Sequence, residues 1–249
     1  MPTKIEWCDE TINPIVGCSK ISDGCQNCYA EKMAWRLKCM GVPKYQDVVD
    51  KNGWTGKIGV DMSVFDKLPK TPKKIFVSSM GDLFHENVTD KQLDSIFANI
   101  AYDAFYPISA LFNKQPHTYL LLTKRPERIA NSPHPEHFAR WTNIWLGVTA
   151  ENQKRADERI PTLLQIPAAV RFVSIEPMLE PVDLDDFWGA PGVGLDWVIV
   201  GPETGPGKRE CKPEWIRDLY EQCQESGVPF FDKTKTNWIA RESPNTKSQ

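Results

Sequence analysis

The chain has 249 residues, of which 41% are hydrophobic and 25% are charged, a composition that can bury one large core. Its net charge of -3 and its pI of about 5.9 exclude a global basic field that would draw the protein to nucleic acid, although a local groove could still do so. No apolar run approaches the roughly 18 to 20 residues that a membrane-spanning helix needs, so we expect a cytoplasmic protein with no membrane partner.

Short apolar runs alternate with helical stretches along the chain, and polar residues follow each run almost at once. The segment Thr89-Asp90-Lys91-Gln92 has the pattern of a capping box and predicts a helix start. Pro213 and Gly227 bracket an apolar stripe at helical spacing and predict a second helix. The seven predicted strands are Ile12–Gly17, Lys74–Ser79, Thr118–Thr123, Ile144–Val148, Arg171–Ile175, Trp197–Gly201 and Val228–Asp232.

The spacing of these runs favours parallel pairing, because no tight hairpin turn joins successive runs. Repeated βα units in a chain of this length predict a single α/β domain over residues 1–249, built as a barrel or partial barrel. The active site of such a barrel lies at the C-terminal ends of its strands.

Three cysteines lie close together in the run CSKISDGCQNCYAEK: Cys18, Cys25 and Cys28 are separated by six residues and then by two. Three thiolates on one short loop can hold three irons of a 4Fe-4S cube and leave the fourth iron open. A disulfide framework is disfavoured, because the chain has seven cysteines, an odd number, and no recognisable signal peptide. Structural zinc is the alternative, with Cys8 as the first candidate for a fourth ligand.

Charged side chains follow nearly every predicted strand, which is more than a loop requires, since Gly, Pro, Asn or Ser would serve equally well in a turn. In a parallel barrel these side chains would converge on one mouth. They are Asp82, Lys124, Arg125, Glu151, Glu176, Glu203 and Lys233.

Six motifs in this order resemble those of the phage-associated three-cysteine-motif proteins, and they extend over nearly the whole chain. They are Cys-x6-Cys-x2-Cys-Tyr-Ala, SSMGDLFHE, LLTKRPERI, IWLGVTAENQ, FVSIEPMLEP and WVIVGPETGPG. That family is related to the radical S-adenosylmethionine (SAM) enzymes, with spore photoproduct lyase among its more distant kin. The resemblance implies a radical-SAM-like partial (β/α) barrel, similar to a TIM barrel, with the cysteine loop near its N-terminus.

The resemblance also implies a role for each cysteine. Cys18, Cys25 and Cys28 would ligate three irons of a 4Fe-4S cluster, and the amino and carboxylate groups of SAM would chelate the fourth. Radical SAM enzymes usually have three residues between the first two of these cysteines, where this chain has six. They also usually have an aromatic residue before the third cysteine, where this chain has Asn27, with Tyr29 following instead as a candidate cofactor-binding residue.

SAM-binding residues follow from the same resemblance. Met80-Gly81-Asp82 would meet the SAM ammonium, with Asp82 complementing its charge, unless the segment is only a turn with an aspartate cap. Lys124 or Arg125 would hold the SAM carboxylate or a substrate phosphate, unless both are solvated surface charges. Ribose hydroxyls would be bound by Glu151, Asn152 and Glu176, since a carboxylate accepts such donors.

Three residues are candidates for the catalytic step: Glu176, Glu203 and Cys211. Residues 201–209 are rich in glycine but lack the G-x-x-x-x-G-K-[ST] arrangement, which argues against a nucleotide hydrolase. We expect this loop either to close over a substrate with Glu203 pointing inward or to be a rigid turn without a ligand. Cys211, beside the loop, is the candidate hydrogen donor; the alternative is a buried cysteine without a chemical role.

The expected activity is reductive cleavage of SAM to a 5'-deoxyadenosyl radical, followed by modification or repair of a substrate. The expected partners are an electron donor such as flavodoxin or ferredoxin and a nucleic acid or nucleotide substrate. The basic residues that would form a local phosphate-binding surface are Lys124, Arg125, Lys208, Arg209, Lys233 and Lys235. The rival hypothesis is a non-enzymatic module in which the cysteine loop holds an iron-sulfur cluster or zinc structurally and other residues bind nucleic acid or a protein partner.

Overall fold

In a computed structural model of the chain, the described residues are 5–105, 116–132, 138, 141–190, 193–234 and 241–244. The chain divides into two compact units. The first contains Met1–Thr123 and Trp141–Ile144, and the second contains Lys124–Arg140 and Trp145–Gln249. Helices alternate with parallel strands in both units, so the α/β class is confirmed, whereas a single domain over residues 1–249 stays a prediction.

The core of the first unit is a parallel sheet of three strands. The elements of this unit are β1 (Glu10–Ile12), β2 (Ile15–Val16), α1 (Tyr29–Cys39), β3 (Val49–Asp50), β4 (Gly53–Trp54), β5 (Gly59–Val60), β6 (Lys74–Val77), α2 (Asp90–Phe105) and β7 (Thr118–Thr123). Strand β6 lies between β1 and β7, and Val77 is level with Ile12 on one side and Leu121 on the other. Helix α2 makes the crossover that a parallel pair requires.

The start of α2 confirms the capping box predicted from the sequence. The Thr89 backbone N–H donates to Oε1 of Gln92 at 2.8 Å, and the Gln92 backbone N–H donates to Oγ1 of Thr89 at 3.3 Å. Leu93, Ile96 and Ile100 then lie buried on one face of the helix. Two backbone donors that the helix leaves unbonded are thus satisfied locally, as the sequence pattern indicates.

The first predicted strand, Ile12–Gly17, is wrong in its bounds. The parallel strand ends at Ile12, and β2 forms a separate antiparallel pair with β5. Pro14 stands at the break, where it has no N–H to donate to the ladder and its carbonyl accepts from the Asp61 backbone at 2.9 Å. The β3–β4 antiparallel pair was not predicted either.

The second unit is built around a parallel sheet of four strands. Its elements are α3 (Glu127–Ala130), β8 (Ile144–Thr149, whose first residue belongs to the first unit), α4 (Gln153–Leu164), β9 (Val170–Ile175), β10 (Trp197–Val200), α5 (Pro213–Glu225) and β11 (Phe230–Asp232). The strands pair in chain order, β8 to β9 to β10 to β11. Every residue of β10 is buried, as expected of a strand covered on both faces.

Helix α5 confirms the second helix predicted from the sequence. It begins at Pro213, and Gly227 follows its end with a positive φ of 66°. Ile216, Leu219 and Cys223 are buried at helical spacing. Cys223 is therefore a core residue, which makes it a useful control for the other cysteines.

Single 3-10 turns occur at Asp23–Cys25, Pro43–Tyr45 and Asp185–Phe187, and a longer 3-10 segment spans Met62–Lys67. None of the helices found among the described residues combines the length and the apolar character needed to cross a membrane.

The C-terminal ends of paired strands are level with each other within each unit. In the second unit Ile175, Val200 and Asp232 form one register row. The residues that follow these strands therefore leave the same, C-terminal edge of the sheet. In the first unit the corresponding edge follows the row of Ile12 and Val77.

Candidate functional site

The cysteine loop, residues 18–28, lies in the first unit between β2 and α1. Cys25 is in the 3-10 turn Asp23–Cys25 and is buried, and Cys28 is the N-cap residue of α1. Cys18 and Cys28 are partly buried. The three thiols predicted to ligate a metal are thus carried by one short, locally folded segment.

The thiols of the cysteine loop make local contacts and no disulfides. All seven cysteines lie in the described part of the chain, and none of them is disulfide-bonded. The Cys18 thiol donates to the Ser19 carbonyl at 3.4 Å, and Cys25 Sγ lies 3.6 Å from Ser22 Oγ. Within the described residues, no three His, Cys, Asp or Glu side chains lie arranged as a group that could hold a metal ion.

The cysteine loop is joined at its start to the β6 turn, residues 78–87. The Gly17 backbone N–H donates to the Met80 carbonyl at 3.1 Å, and Gly17 and Gly81 form a parallel bridge. A Cβ on Gly81 would lie 2.7 Å from the Gly17 carbonyl oxygen, and a Cβ on Gly17 would lie 2.3 Å from the Lys57 carbonyl oxygen. Gly17 also has a φ of 95°. Both positions therefore require glycine.

This junction brings together five of the residues predicted to bind the cluster or SAM. Met80 donates its backbone N–H to Oδ1 of Asn13 at 2.8 Å, and its side chain is buried. Tyr29, the first residue of α1, donates its hydroxyl to the Ser79 carbonyl at 2.7 Å. The predicted residues assembled at this junction are Cys18, Tyr29, Met80, Gly81 and Asp82.

Asp82 is buried and takes part in the hydrogen bonding of the first unit. Its Oδ1 accepts from the Phe84 backbone N–H at 3.0 Å and from the Thr123 hydroxyl at 2.8 Å. The first bond is that of an aspartate-capped turn, which the sequence left open as the alternative. A role for Asp82 in binding an ammonium group therefore has to be tested with a substitution that keeps these two bonds.

Ser19, His85 and Glu86 form a hydrogen-bonded group that sequence reasoning missed. Ser19 Oγ lies 2.9 Å from His85 Nε2 and 3.0 Å from Glu86 Oε1. His85 is completely buried, and the Glu86 side chain is exposed. The only sequence signal was the His-Glu pair within SSMGDLFHE, and nothing in that segment indicates that its partner lies 66 residues earlier.

In the second unit, Glu151 and Asn152 have local partners. Glu151 is completely buried, and its Oε2 accepts from Nη1 of Arg159 at 2.9 Å. Arg159 also donates to the Thr149 carbonyl at 2.7 Å. Asn152 is the N-cap of α4, and its Oδ1 accepts from the Arg155 backbone N–H at 3.0 Å. These bonds hold α4 against the end of β8 and assign both residues a part in the fold.

Glu176 lies at the C-terminal edge of the second sheet, where a catalytic carboxylate was predicted. Its Oε2 accepts from the Ser174 hydroxyl at 3.1 Å, and its Oε1 forms an ion pair with Lys233, which follows β11. A Cβ on Gly201 would lie 2.7 Å from Oε1, so glycine at this position makes room for the carboxylate. The predicted convergence of strand ends is thus found for Glu176 and Lys233.

Glu203 closes its own loop. The Arg209 backbone N–H and Nε donate to Glu203 Oε2 at 2.8 and 3.1 Å, and Nη2 of Arg209 bonds to Oε1. Glu203 is buried, whereas Thr204 to Lys208 are exposed. Of the two alternatives for this loop, the rigid turn accounts for these bonds, because both carboxylate oxygens accept from Arg209.

Cys211 is half-buried, and its pKa is raised to about 11 by burial and by the negative charge of Asp232. Asp232 is buried at the end of β11 and accepts from the backbone N–H of Thr234 at 2.7 Å. The Cys211 sulfur therefore keeps its hydrogen at neutral pH. It is a poor nucleophile in that state, but it holds the S–H bond that a hydrogen-atom donor needs.

The basic residues predicted to bind phosphate do not share one environment. Arg125 is buried, Lys124 is partly buried and Lys208 is exposed. Arg209 and Lys233 are paired with carboxylates. Lys235 lies outside the described residues.

The chain was compared with known families, curated proteins and solved structures. A family model described as "Protein of unknown function (DUF5131)" matches residues 2–249. No curated protein and no solved structure matches the chain.

The raised pKa of Cys211 predicts slow alkylation that accelerates with pH. Only the thiolate reacts, so we expect the iodoacetamide rate at pH 8 to be roughly a thousandth of its limiting value and to rise about tenfold per pH unit up to pH 11. Asp232→Asn removes the nearby negative charge, so it should lower the pKa and raise the rate at pH 9. Mass spectrometry of the Cys211 peptide measures the rate, with the exposed Cys39 as the internal control. Equal rates at Cys211 and Cys39 at pH 8 would contradict the prediction.

Proposed function

Since the chain belongs to the DUF5131 family, whose description gives no function, we propose from its own residues that it is an iron-sulfur protein of the radical SAM type. In this proposal Cys18, Cys25 and Cys28 hold a 4Fe-4S cluster, and the protein modifies or repairs a nucleic acid or nucleotide. The proposal includes a radical-SAM-like partial barrel and kinship with the phage-associated three-cysteine-motif proteins. The observation that carries it is the junction of the cysteine loop with the β6 turn.

The number and type of the donors suit such a cluster, although the described residues do not gather them into a group that could hold a metal ion. Three thiols that are not in disulfides lie within eleven residues, and Cys28 is the N-cap residue of α1, whose partial positive charge at this end suits an anionic thiolate cluster. Three protein ligands leave one iron for a small molecule, which a closed four-thiolate site does not. A bound cluster with SAM would supply one-electron radical chemistry, which side chains alone do not provide. The electron would come from a donor such as flavodoxin or ferredoxin.

The chain's own residues would bind and orient SAM beside the cysteine loop. The Met80-Gly81-Asp82 segment is fixed to the root of that loop by the Gly17 bond to Met80. Carbonyl oxygens of this segment would accept from the SAM ammonium, and the Asp82 carboxylate would complement its charge. Tyr29 supports the same segment through its bond to the Ser79 carbonyl.

The residues proposed for the catalytic step lie in the second unit. Glu176, with Ser174 and Lys233 as partners, lies at the C-terminal edge of the parallel sheet, where barrel enzymes bind substrates. Cys211 would keep an S–H group available for hydrogen transfer, because its pKa lies well above neutral pH. The roles proposed for Glu203, Lys124, Arg125, Glu151 and Asn152 have less support, since most of these side chains are buried or bonded within the fold.

One observation suits the binding partner that the rival, a non-enzymatic metal-stabilised module, requires. Seven large hydrophobic side chains are exposed to solvent in the described part of the chain. Five of them lie between residues 21 and 40: Ile21, Tyr29, Met33, Trp35 and Met40. Clustered exposed apolar side chains mark interaction surfaces. A protein or nucleic acid partner could bind this segment whether the cysteine loop is catalytic or structural. The metal content of the protein therefore distinguishes the radical SAM enzyme from the non-enzymatic module.

The cluster assignment predicts which cysteines retain iron. Changing Cys18, Cys25 or Cys28 to Ala should remove most of the iron from anaerobically reconstituted protein, because each change deletes one of three ligands. Cys223→Ala should leave the iron content intact and cost only packing stability, since Cys223 lies on the buried face of α5. Iron and acid-labile sulfide per chain measure the outcome. Colourless protein containing one zinc would favour the non-enzymatic module.

The SAM assignment predicts a loss of affinity when the charge of Asp82 is removed. Asp82→Asn keeps an oxygen that can accept from Phe84 and Thr123 but deletes the negative charge, so SAM binding should weaken about tenfold or more while iron content stays normal. Calorimetry on the reconstituted protein measures the affinity, and Thr123→Val is the control for the lost internal bond. If the wild-type protein binds no SAM, the radical SAM assignment is wrong. If the wild type and Asp82→Asn bind SAM with equal affinity, Asp82 is only a turn residue.

A further inference from the structure

Ser19 is the centre of a hydrogen-bonded group directly after the first cysteine of the loop. Its hydroxyl lies between His85 Nε2 at 2.9 Å and Glu86 Oε1 at 3.0 Å, and His85 Nε2 is 3.4 Å from the same Glu86 oxygen. The histidine is completely buried, and the glutamate is exposed. The group therefore connects the cysteine loop with the buried interior of the first unit.

The direction of the hydrogen bonds follows from the backbone. The Asn87 N–H donates to Nδ1 of His85 at 3.1 Å, so Nδ1 carries no proton and Nε2 carries one. Nε2 therefore donates to the Ser19 oxygen, and the Ser19 hydroxyl donates to Glu86. A serine nucleophile needs the opposite arrangement, in which a histidine nitrogen accepts the hydroxyl proton. The Ser-His-Glu group is consequently not a hydrolytic triad.

The same bonds restrain Cys18 from both sides. Before it, the Gly17 N–H bonds to the Met80 carbonyl; after it, the Ser19 side chain bonds to His85 and Glu86. The Cys18 thiol itself donates to the Ser19 carbonyl. Bonds to the β6 turn thus flank Cys18 on both sides.

We propose that Ser19, His85 and Glu86 are positioning residues that hold Cys18 in place as a metal ligand. The inference rests on the proposed function, since it requires that Cys18 bind a metal. Partners behind a ligand orient it and usually change metal affinity by about 10- to 100-fold when they are removed. The network would do so by ordering the start of the loop before the metal arrives, so that less conformational entropy is lost on binding.

Substitutions can separate positioning from general stability. Ser19→Ala deletes the hydroxyl, while Ser19→Thr retains it, and Ser19 is only partly buried, so both variants should fold. His85→Gln places an amide N–H near the position of Nε2 and should keep the bond to Ser19. His85→Asn places an oxygen near the position of Nδ1, so it should keep the hydrogen bond from Asn87 and lose the hydrogen bond to Ser19.

Two measurements test the inference on the full chain. In the metal-free protein, hydrogen–deuterium exchange of residues 18–28 should be faster in Ser19→Ala and His85→Asn than in wild type, Ser19→Thr or His85→Gln. After reconstitution with iron and sulfide, a chelator should remove iron about tenfold faster from Ser19→Ala and His85→Asn, with recovery in Ser19→Thr and His85→Gln.

Three outcomes would overturn the inference. Faster exchange in Ser19→Ala with unchanged iron release would make the network a structural bond of the fold with no effect on the ligand. Wild-type protein that takes up no iron would overturn the proposed function, and the inference with it, whereas an iron-binding wild type with insensitive Ser19 variants would overturn the inference alone.

Discussion

The close approach of Gly17 and Gly81 is the constraint on which the candidate site depends. Any side chain at Gly81 would collide with the Gly17 carbonyl, and Gly17 adopts a φ of 95° that other residues rarely tolerate. Because the backbones of Gly17 and Gly81 are in contact, Cys18 lies directly beside the β6 turn. The turn residues that bond to Asn13, Tyr29 and Ser19 are held at the same place. Without this contact, the cysteines and the residues proposed to bind SAM would be separate features of the sequence.

In the second unit, ion pairs hold the predicted functional carboxylates in place. Each of its three predicted functional carboxylates is bonded to a cation, and the degree of burial distinguishes them. The pairs are Glu151–Arg159, Glu176–Lys233 and Glu203–Arg209. Breaking a fully buried pair such as the first costs about 3–5 kcal/mol, because it leaves an uncompensated charge in the interior. Glu176 is the carboxylate most suited to chemistry, since it and its lysine are partly exposed at the edge of the sheet.

The sequence predicted the local features of the fold and the parallel pairing of its strands well, and the side-chain contacts between distant segments poorly. The capping box at Thr89, the helix beginning at Pro213 and six of the seven strands depend on neighbouring residues, and the structure confirms them. The break at Pro14 was missed because the apolar run continues through it, although proline removes a ladder donor. Pairings over long separations, such as Ser19 with His85 or Asp82 with Thr123, leave no periodic signal in one sequence. Asn152 is a local case, since a helix N-cap is a short sequence pattern that accounts for its bond to Arg155, and its part in binding ribose stays a prediction.

The central claim is that three cysteines hold a cluster whose fourth iron is open to SAM. Mössbauer spectroscopy of protein reconstituted with iron-57 tests it most directly, because each iron of the cluster reports its own ligands. The account predicts that one iron differs from the other three and that SAM changes the isomer shift and quadrupole splitting of this iron alone. A spectrum in which no iron responds to SAM, or a protein that takes up zinc in place of iron, would contradict it.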